Sequence, residues 1–209
     1  SVVHNGVRPS SRQRSPRGRS VLGYCGRLVP RKQPQYIQKA LLEPGFEGAA
    51  ALIAGKAFSP FARDLVRDLG IEERVRYLGW CGGERLEAFW DAVDVLVLPS
   101  TYEPFGLAAL EAVARRVPVV ATPADGLAEV LGDHVFWADN TSYEAFIDAL
   151  RRWHGADDDK LDQVTAAAQQ RYLERFTDRV MAQDYIDRFE ALSASGDHTF
   201  RRHGAEDCV

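Results

Sequence analysis

The sequence predicts an α/β fold in which about six parallel strands form one doubly wound, Rossmann-like sheet. Short runs of Val, Leu, Ile and Ala alternate with helix-length segments from residue 21 onward. These runs are apolar almost throughout, which is typical of parallel strands covered by helices on both faces. The chain has 209 residues, which is enough to bury one good core.

The six predicted strands are short and end at turn or loop residues. They span residues 21–26, 49–54, 75–79, 94–100, 117–122 and 135–138. Pro99 would end the fourth strand because proline lacks the N–H group that a sheet needs. Parallel strands end at one edge of a sheet, so we expect a ligand beyond their carboxyl ends, where the strand order reverses.

The remaining segments after residue 33 are predicted mainly as helices. They span residues 34–42, 58–69, 84–91, 105–115, 127–131, 142–153, 159–176 and 177–192. Pro34 suits the first turn of one helix, and Gly70 suits the C-cap of the next. Thr177 or Asp178 suits the N-cap of the last. Three of the eight helices therefore carry an end signal as well as a suitable length.

Composition divides the chain into four predicted parts. Residues 1–19 are expected to be an interdomain segment and linker, 20–176 the Rossmann-like domain, 177–193 a separate last helix and 194–209 a disordered tail. The Arg-, Ser- and Pro-rich residues 8–19 favour a solvated linker, with a basic recognition arm as the alternative.

The last predicted helix carries an apolar stripe. The stripe consists of Val180, Met181, Tyr185, Ile186 and Phe189. An exposed apolar patch of several hundred Å² is uncommon on a stable monomer. We therefore expect part of the stripe to pack on this domain and the remainder to support self-association.

Bulk properties exclude several classes of protein. Hydrophobic residues make up 45% and charged residues 27% of the chain, and the net charge of -4 argues against a general nucleic-acid binder. No apolar run approaches the ~18 residues of a membrane span, and no signal peptide is visible. Cys25, Cys81 and Cys208 show neither a disulfide framework nor metal-ligand spacing, which indicates a reducing, cytoplasmic location.

Residues 100–114, STYEPFGLAALEAVA, place two carboxylates on either side of a predicted helix start. Glu111 lies in an apolar run, where burial without a partner costs on the order of several kcal/mol. Glu103 lies eight residues earlier. Free N–H groups at the helix start can bind an anion, and Gly106 allows close approach of a ligand. Carboxylates accept strong hydrogen bonds from hydroxyl groups, so a sugar-bearing diphosphate would fit, with Glu111 directed across from Glu103. The alternative is a salt-bridged Glu111.

A second charged group follows the first predicted strand. It contains Arg27 and Lys32, which offer a planar guanidinium fork and a point charge for phosphate. Both would lie at the carboxyl end of a strand, on the same edge of the sheet as Glu103. An ordinary surface ion pair is the alternative interpretation of Arg27.

Six segments of the chain resemble, in order, the motifs of the retaining glycosyltransferases of family four. They read GRLVPRK, ALIAG, VRYLGW, DVLVLPSTYEPFGLAALEA, PVVAT and GLAEVL. The spacing from Glu103 to Glu111 matches the E-x7-E pattern of that family. The resemblance covers residues 20–190 and implies one half of the two-domain GT-B fold, the C-terminal nucleotide-sugar-binding domain, whose last helix crosses to the other domain.

The resemblance implies roles for the residues around the transferred group. Arg27 and Lys32 would bind the donor diphosphate and take the place of a metal ion. Glu103 would contact the transferred sugar. These three residues are therefore the candidate catalytic residues, and no metal ligand is implied.

The resemblance also implies roles in nucleotide binding. Phe105, Gly106 and Leu107 would donate backbone hydrogen bonds to the phosphate and the sugar. Glu111 would bind the ribose hydroxyls, which would offset the cost of its desolvation. Trp80 would flank the base.

Taken together, the resemblance implies a metal-independent enzyme that transfers a hexose from a UDP- or GDP-sugar to a glycan or lipid-linked acceptor. The nucleotide-sugar is a substrate, and no cofactor is expected. SVVHNGV resembles the segment that leaves the N-terminal domain of the family, so the acceptor-binding domain would be missing and this fragment alone inactive. Peripheral contact of the whole enzyme with a membrane is compatible with a lipid-linked acceptor.

The chain departs from the family pattern at three loop positions. Gln33, Ala57 and Asp125 stand where the family often has glycine. These departures concern the geometry of the loops. A second hypothesis, in which the domain binds a nucleotide or a partner without catalysis, is favoured by the apolar stripe of the last helix. An epimerase or a phosphorylase on the same fold is a third, and the E-x7-E spacing argues against it.

Overall fold

The computed structural model describes residues 2–10, 20–56 and 71–194. Its centre is a sheet of six strands, namely β1 (Val21–Cys25), β2 (Ala50–Ala54), β3 (Val75–Gly79), β4 (Val95–Leu98), β5 (Val119–Ala121) and β6 (Phe136–Trp137). The strands are all parallel and follow the order β3-β2-β1-β4-β5-β6. This is the order of a Rossmann-like doubly wound sheet, and it confirms the predicted fold class.

Seven α-helices lie in the described residues. They are α1 (Gln35–Ala40), α2 (Glu84–Ala92), α3 (Leu107–Ala114), α4 (Gly126–Leu131), α5 (Tyr143–Gly155), α6 (Asp158–Arg175) and α7 (Asp178–Ala194). Short 3₁₀ turns span Pro30–Lys32 and Glu72–Arg74. The predicted helix over 58–69, residues 11–19 and the tail from residue 195 lie outside the described residues.

The core lies on both faces of the sheet because side chains alternate along each strand. On β4, Val95 and Val97 belong to one buried cluster, which includes Trp153 of α5. Leu96 and Leu98 point to the opposite face and belong to the other buried cluster, which is filled mainly by α3, α4 and α6. Helices therefore cover both faces, which explains why these strands are apolar throughout.

The two central strands are held together at their amino ends by a buried carboxylate. The backbone amides of Ser20 and Val21 donate to Asp94 Oδ2 at 3.0 and 2.9 Å. The Asp94 amide in turn donates to the Val21 carbonyl at 2.9 Å. These bonds fix β1 beside β4, so the carboxyl ends of the two strands also meet at a defined place.

Helix α7 leaves most of its apolar stripe uncovered. Thr177 Oγ1 accepts the Val180 amide at 3.2 Å and so caps the helix. Val180 and Met181 are half-buried, whereas the side chains farther along are exposed. The exposed part consists of Tyr185, Ile186 and Phe189 of the stripe, together with Leu192. Within the described parts of the chain, no helix is long and apolar enough to cross a membrane.

Candidate functional site

A cleft opens beyond the carboxyl ends of β1 and β4, the two strands between which the strand order reverses. It has two adjoining parts, and both are lined by Cys25, Gly26 and Arg27. The first, called here the Glu103 cleft, has a volume of about 350 Å³ and is also lined by Asn5, Tyr24, Lys32, Glu103, Pro104 and residues 105–108. The second, called the Glu111 cleft, has a volume of about 280 Å³ and is also lined by Lys56, Trp80, Cys81, Leu86 and Glu111.

An ion pair joins the loops that follow β1 and β4. Lys32 Nζ contacts Glu103 Oε2, and their side chains are only 10% and 16% exposed. The Thr101 amide donates to the Arg31 carbonyl at 2.8 Å, which ties the same two loops together. The structure therefore brings together two residues that the sequence placed on one edge, but it pairs them with each other.

Arg27 is a cation of the Glu103 cleft that pairs with none of the described carboxylates. Its side chain is exposed, borders both parts of the cleft and forms no ion pair with any described residue. The buried Tyr24 hydroxyl donates to the Arg27 carbonyl at 2.7 Å and holds the backbone of the loop. With Lys32 balanced by Glu103, Arg27 gives the Glu103 cleft its net positive charge.

The start of α3 offers backbone donors to the Glu103 cleft. Gly106 has φ = 93°, a left-handed conformation that favours glycine, so the helix begins at Leu107 rather than at Phe105 as predicted. The amides of Gly106, Leu107 and Ala108 donate to no acceptor in the part of the chain that the structure describes. All three residues line the cleft, so their free amides form an anion-binding helix terminus.

Glu111 lines the Glu111 cleft, and Glu103 lines the adjoining part. Burial raises the pKa of its carboxyl group and Glu87 adds to this, while Arg115 and the Trp90 indole oppose it. Trp90 Nε1 nevertheless makes no hydrogen bond of ordinary geometry to a described residue. Arg115 pairs with Glu87 at 2.6 Å and donates only to the backbone carbonyl of Glu111. The salt-bridge interpretation of Glu111 is therefore not supported.

Trp80 forms the outer wall of the Glu111 cleft. It follows β3 directly, and 66% of its surface is exposed. Leu86 and the half-buried Cys25 supply further apolar surface. Burial and the charge of Glu111 raise the pKa of Cys25 to about 12, so this thiol stays neutral. The cleft thus combines an aromatic face with the Lys56 cation and with the Glu111 carboxylate, which forms no ion pair with a described residue.

Comparison with known proteins assigns the chain to a family. A profile described as Glycosyl transferases group 1 matches residues 8–171. The chain belongs to this family. An uncharacterized glycosyltransferase from Methanocaldococcus jannaschii is 37% identical over 116 residues, and the match covers 54% of this chain and 29% of that protein.

Two further comparisons cover more of the chain. A D-inositol 3-phosphate glycosyltransferase from Corynebacterium urealyticum is 31% identical over 189 residues, covering 85% of this chain and 44% of that protein. The crystal structure of Anabaena HepE in complex with UDP and glucose has a TM-score of 0.73 and 25% identity, covering 82% of this chain and 48% of that one. The chain thus spans less than half the length of these relatives.

Two departures from the glycosyltransferase pattern keep a backbone conformation that favours glycine. Gln33 has φ = 44° and ends the turn after β1, and Asp125 has φ = 33° immediately before α4. Such a conformation strains a residue with a Cβ atom by about 1–3 kcal/mol. The glycine-type loop shape is therefore retained at both positions. Ala57, the third departure, lies outside the described residues.

The sequence prediction missed several lining residues of the cleft, among them the polar residues Tyr24, Lys56 and Asn5. Tyr24 is hidden inside a strand, and Lys56 directly follows the glycine that ends the second strand motif. Asn5 lies far from the motifs along the chain, and only the fold brings it to the cleft. Of these three, only Lys56 had a signal in the sequence, because it follows a strand at the edge where ligands were expected.

Proposed function

We propose that the chain is the donor-binding domain of a retaining, metal-independent glycosyltransferase. In this proposal it binds a UDP- or GDP-sugar, whose hexose is transferred to a glycan or lipid-linked acceptor. The observation that carries the proposal is the distribution of charge along one cleft at the switch point. The free backbone amides at the start of α3 lie in one part, Glu111 and Trp80 line the other together with Lys56, and Arg27 borders both.

The Glu103 cleft suits the diphosphate and the sugar. Arg27 is free to donate a planar pair of hydrogen bonds to phosphate oxygens, and the free amides at the start of α3 can add more. Charge develops on the diphosphate when the bond to the sugar breaks, and fixed donors that face it stabilise the transition state. Lys32 lines the same cleft as Arg27 and would also stabilise the negative charge on the diphosphate.

The Glu111 cleft suits the nucleoside. Trp80 presents an aromatic face for a base, and the Glu111 carboxylate can accept hydrogen bonds from the two hydroxyl groups of a ribose. The burial that raises the pKa of Glu111 costs free energy in the absence of a partner. Such a cost is typical of a binding residue, because the ligand supplies the missing hydrogen bonds.

The descriptions of two relatives support transfer of a sugar from a nucleotide-sugar donor. HepE is described in complex with UDP and glucose, and the relative from Corynebacterium urealyticum is named for transfer to D-inositol 3-phosphate. We propose a nucleotide-sugar as the donor here, with the acceptor site in a part of the enzyme outside these 209 residues. The alternative is a non-catalytic nucleotide-binding or assembly module, which the exposed apolar part of α7 favours.

Calorimetric titration of the 209-residue chain with UDP, GDP and ADP tests the proposal. We expect saturable binding of UDP or GDP, with weaker binding of ADP, in the presence of EDTA. Absence of binding by all three nucleotides would contradict the donor-domain proposal and favour the assembly module. Binding that requires a divalent cation would contradict metal independence alone.

A further inference from the structure

We propose that Asn5 is a further substrate-binding residue, whose side-chain amide contacts the sugar of the nucleotide-sugar donor. This inference rests on the proposed function and adds a residue that none of the strand or helix motifs contains. Asn5 lines the Glu103 cleft together with Glu103, Phe105 and Gly106. Its side chain is exposed and forms no hydrogen bond with the residues that the structure describes.

The residues that follow Asn5 are fixed to the end of α6. The Val7 amide donates to the Phe176 carbonyl at 2.9 Å, and the Tyr172 hydroxyl donates to the Val7 carbonyl at 2.8 Å. Gly6 lies so close to the backbone that an added Cβ atom would stand 2.2 Å from the Thr177 carbonyl oxygen. The chain is therefore held on the carboxyl side of Asn5 by contacts that leave little freedom.

The residue that precedes Asn5 is fixed to the cleft itself. The His4 ring stacks on Phe105 at a centroid distance of 6.2 Å and meets the edge of Phe176 at 5.5 Å. His4 Nε2 also lies 2.7 Å from Glu129 Oε1. Phe105 belongs to the wall of the Glu103 cleft, so His4 attaches the segment to that wall. Held on both sides, Asn5 keeps its place at the cleft without using its own side chain.

The chemistry of the cleft indicates which part of the donor Asn5 contacts. Arg27, Lys32 and Glu103 line the same cleft with charged side chains, and two of them pair with each other. The Tyr24 hydroxyl is neutral but already donates to the Arg27 carbonyl. The amide of Asn5 is neutral and has two N–H donors and one carbonyl acceptor. A sugar hydroxyl both donates and accepts, so it can use both groups, whereas a phosphate would use only the donors. We therefore assign Asn5 to the sugar.

The test compares Asn5→Ala with a matched control, Asn140→Ala. Asn140 is exposed, accepts the Ser142 amide at 2.8 Å and lines neither part of the cleft. Calorimetry would compare UDP and GDP with UDP-glucose, UDP-galactose and GDP-mannose. For the sugar nucleotide that the wild type prefers, Asn5→Ala should weaken binding about threefold to tenfold. Binding of the corresponding nucleoside diphosphate should stay within about twofold, as expected for a hydrogen bond to the sugar alone. The control should match the wild type in both.

Three results would overturn this assignment while leaving the proposed function intact. They are unchanged sugar-nucleotide affinity in Asn5→Ala, an equal loss for diphosphate and sugar nucleotide, and a wild type that gains no affinity from any of the three sugars. The nucleoside diphosphate titration of the wild type distinguishes the two proposals. If that titration shows no binding, the proposed function itself fails and the assignment of Asn5 fails with it.

Discussion

Glu111→Gln should weaken binding of a nucleoside diphosphate and should stabilise the folded domain at neutral pH. The substitution keeps the size of the side chain but removes the charge that burial disfavours. Because Glu111 forms no ion pair with a described residue, no opposite charge is left behind. Loss of binding together with a gain in stability is typical of a residue that serves a ligand.

The size of the binding effect follows from the ribose contacts proposed for Glu111. A hydrogen bond to a charged group contributes about 1.5–3 kcal/mol and a neutral one about 0.5–1.5 kcal/mol, so each bond loses ~1 kcal/mol in Glu111→Gln. Two ribose hydroxyls give a loss of ~2 kcal/mol, which is about 30-fold in affinity. The stability gain should be about 0.5–2 kcal/mol, the usual range for relief of a functional-site cost.

The pH dependence follows from the raised pKa of Glu111. Its folded-state pKa lies above 4.5, the ordinary pKa of a glutamate side chain, so the folded domain favours the protonated carboxyl. That contribution to the unfolding free energy is fully present below 4.5 and is lost as pH rises through the raised pKa. Glu111→Gln should therefore equal the wild type in stability near pH 4 and exceed it near pH 8. Nucleotide affinity of the wild type should fall as Glu111 becomes protonated.

Calorimetry and denaturant unfolding between pH 4 and 8 would measure both effects. Glu87→Gln is the matched control, because Glu87 lies outside both parts of the cleft and pairs with Arg115. It should lose up to about 1 kcal/mol of stability and retain nucleotide affinity. If Glu111→Gln is instead destabilised with unchanged affinity, Glu111 is a structural residue and the ribose assignment is wrong.

Three other expectations concern charge, backbone strain and the last helix. Arg27→Ala should weaken UDP binding at least tenfold at unchanged Tm. Lys32→Ala should weaken UDP binding and also lower the Tm, because it leaves Glu103 buried and unpaired. Neither variant should affect uridine binding, and an equal loss for uridine and UDP would refute a role at the diphosphate. Asp125→Gly should raise the unfolding free energy by about 1 kcal/mol, because it relieves the strain of a residue at φ = 33°. Asp139 is also exposed but has no positive φ, so Asp139→Gly should not raise the unfolding free energy. Equal effects of the two substitutions would show that strain is not the cause. The chain should self-associate in light scattering across a hundredfold dilution, and Phe189→Asp should reduce this because Phe189 is 65% exposed; a strict monomer at every concentration would contradict the expected patch.

The fold could be predicted because each strand carries its own signal. A parallel strand covered on both faces must be apolar at nearly every position, and β4 shows this with four buried residues, Val95 to Leu98. The weakest signal belonged to β6, which the structure confines to Phe136 and Trp137. Strand order was not encoded in any single run, because it depends on pairings between strands that are distant in sequence, such as β1 with β4.

The candidate site could be predicted only where its residues are close in sequence. Glu111 interrupts an apolar helix, so its anomaly is visible in the sequence alone. The contact between Lys32 and Glu103 joins residues 71 positions apart, and no local pattern encodes it. Asn5 reaches the cleft through contacts of its neighbours with distant residues, such as the bond of Val7 to Tyr172, which lies 165 positions along the chain.

The ion pair between Lys32 and Glu103 has a consequence for the proposed reaction. In the free cleft each side chain satisfies the other, so neither is exposed as an unpaired charge. A bound diphosphate brings negative charge that competes with Glu103 for Lys32, and the sugar brings hydroxyl groups that can satisfy Glu103. Since each ligand group replaces one partner of the pair, a nucleotide-sugar compensates both charges, whereas a nucleoside diphosphate compensates only Lys32. If the domain binds a nucleotide-sugar as proposed, the pair would favour the intact donor over the product diphosphate and so assist release of the product after transfer.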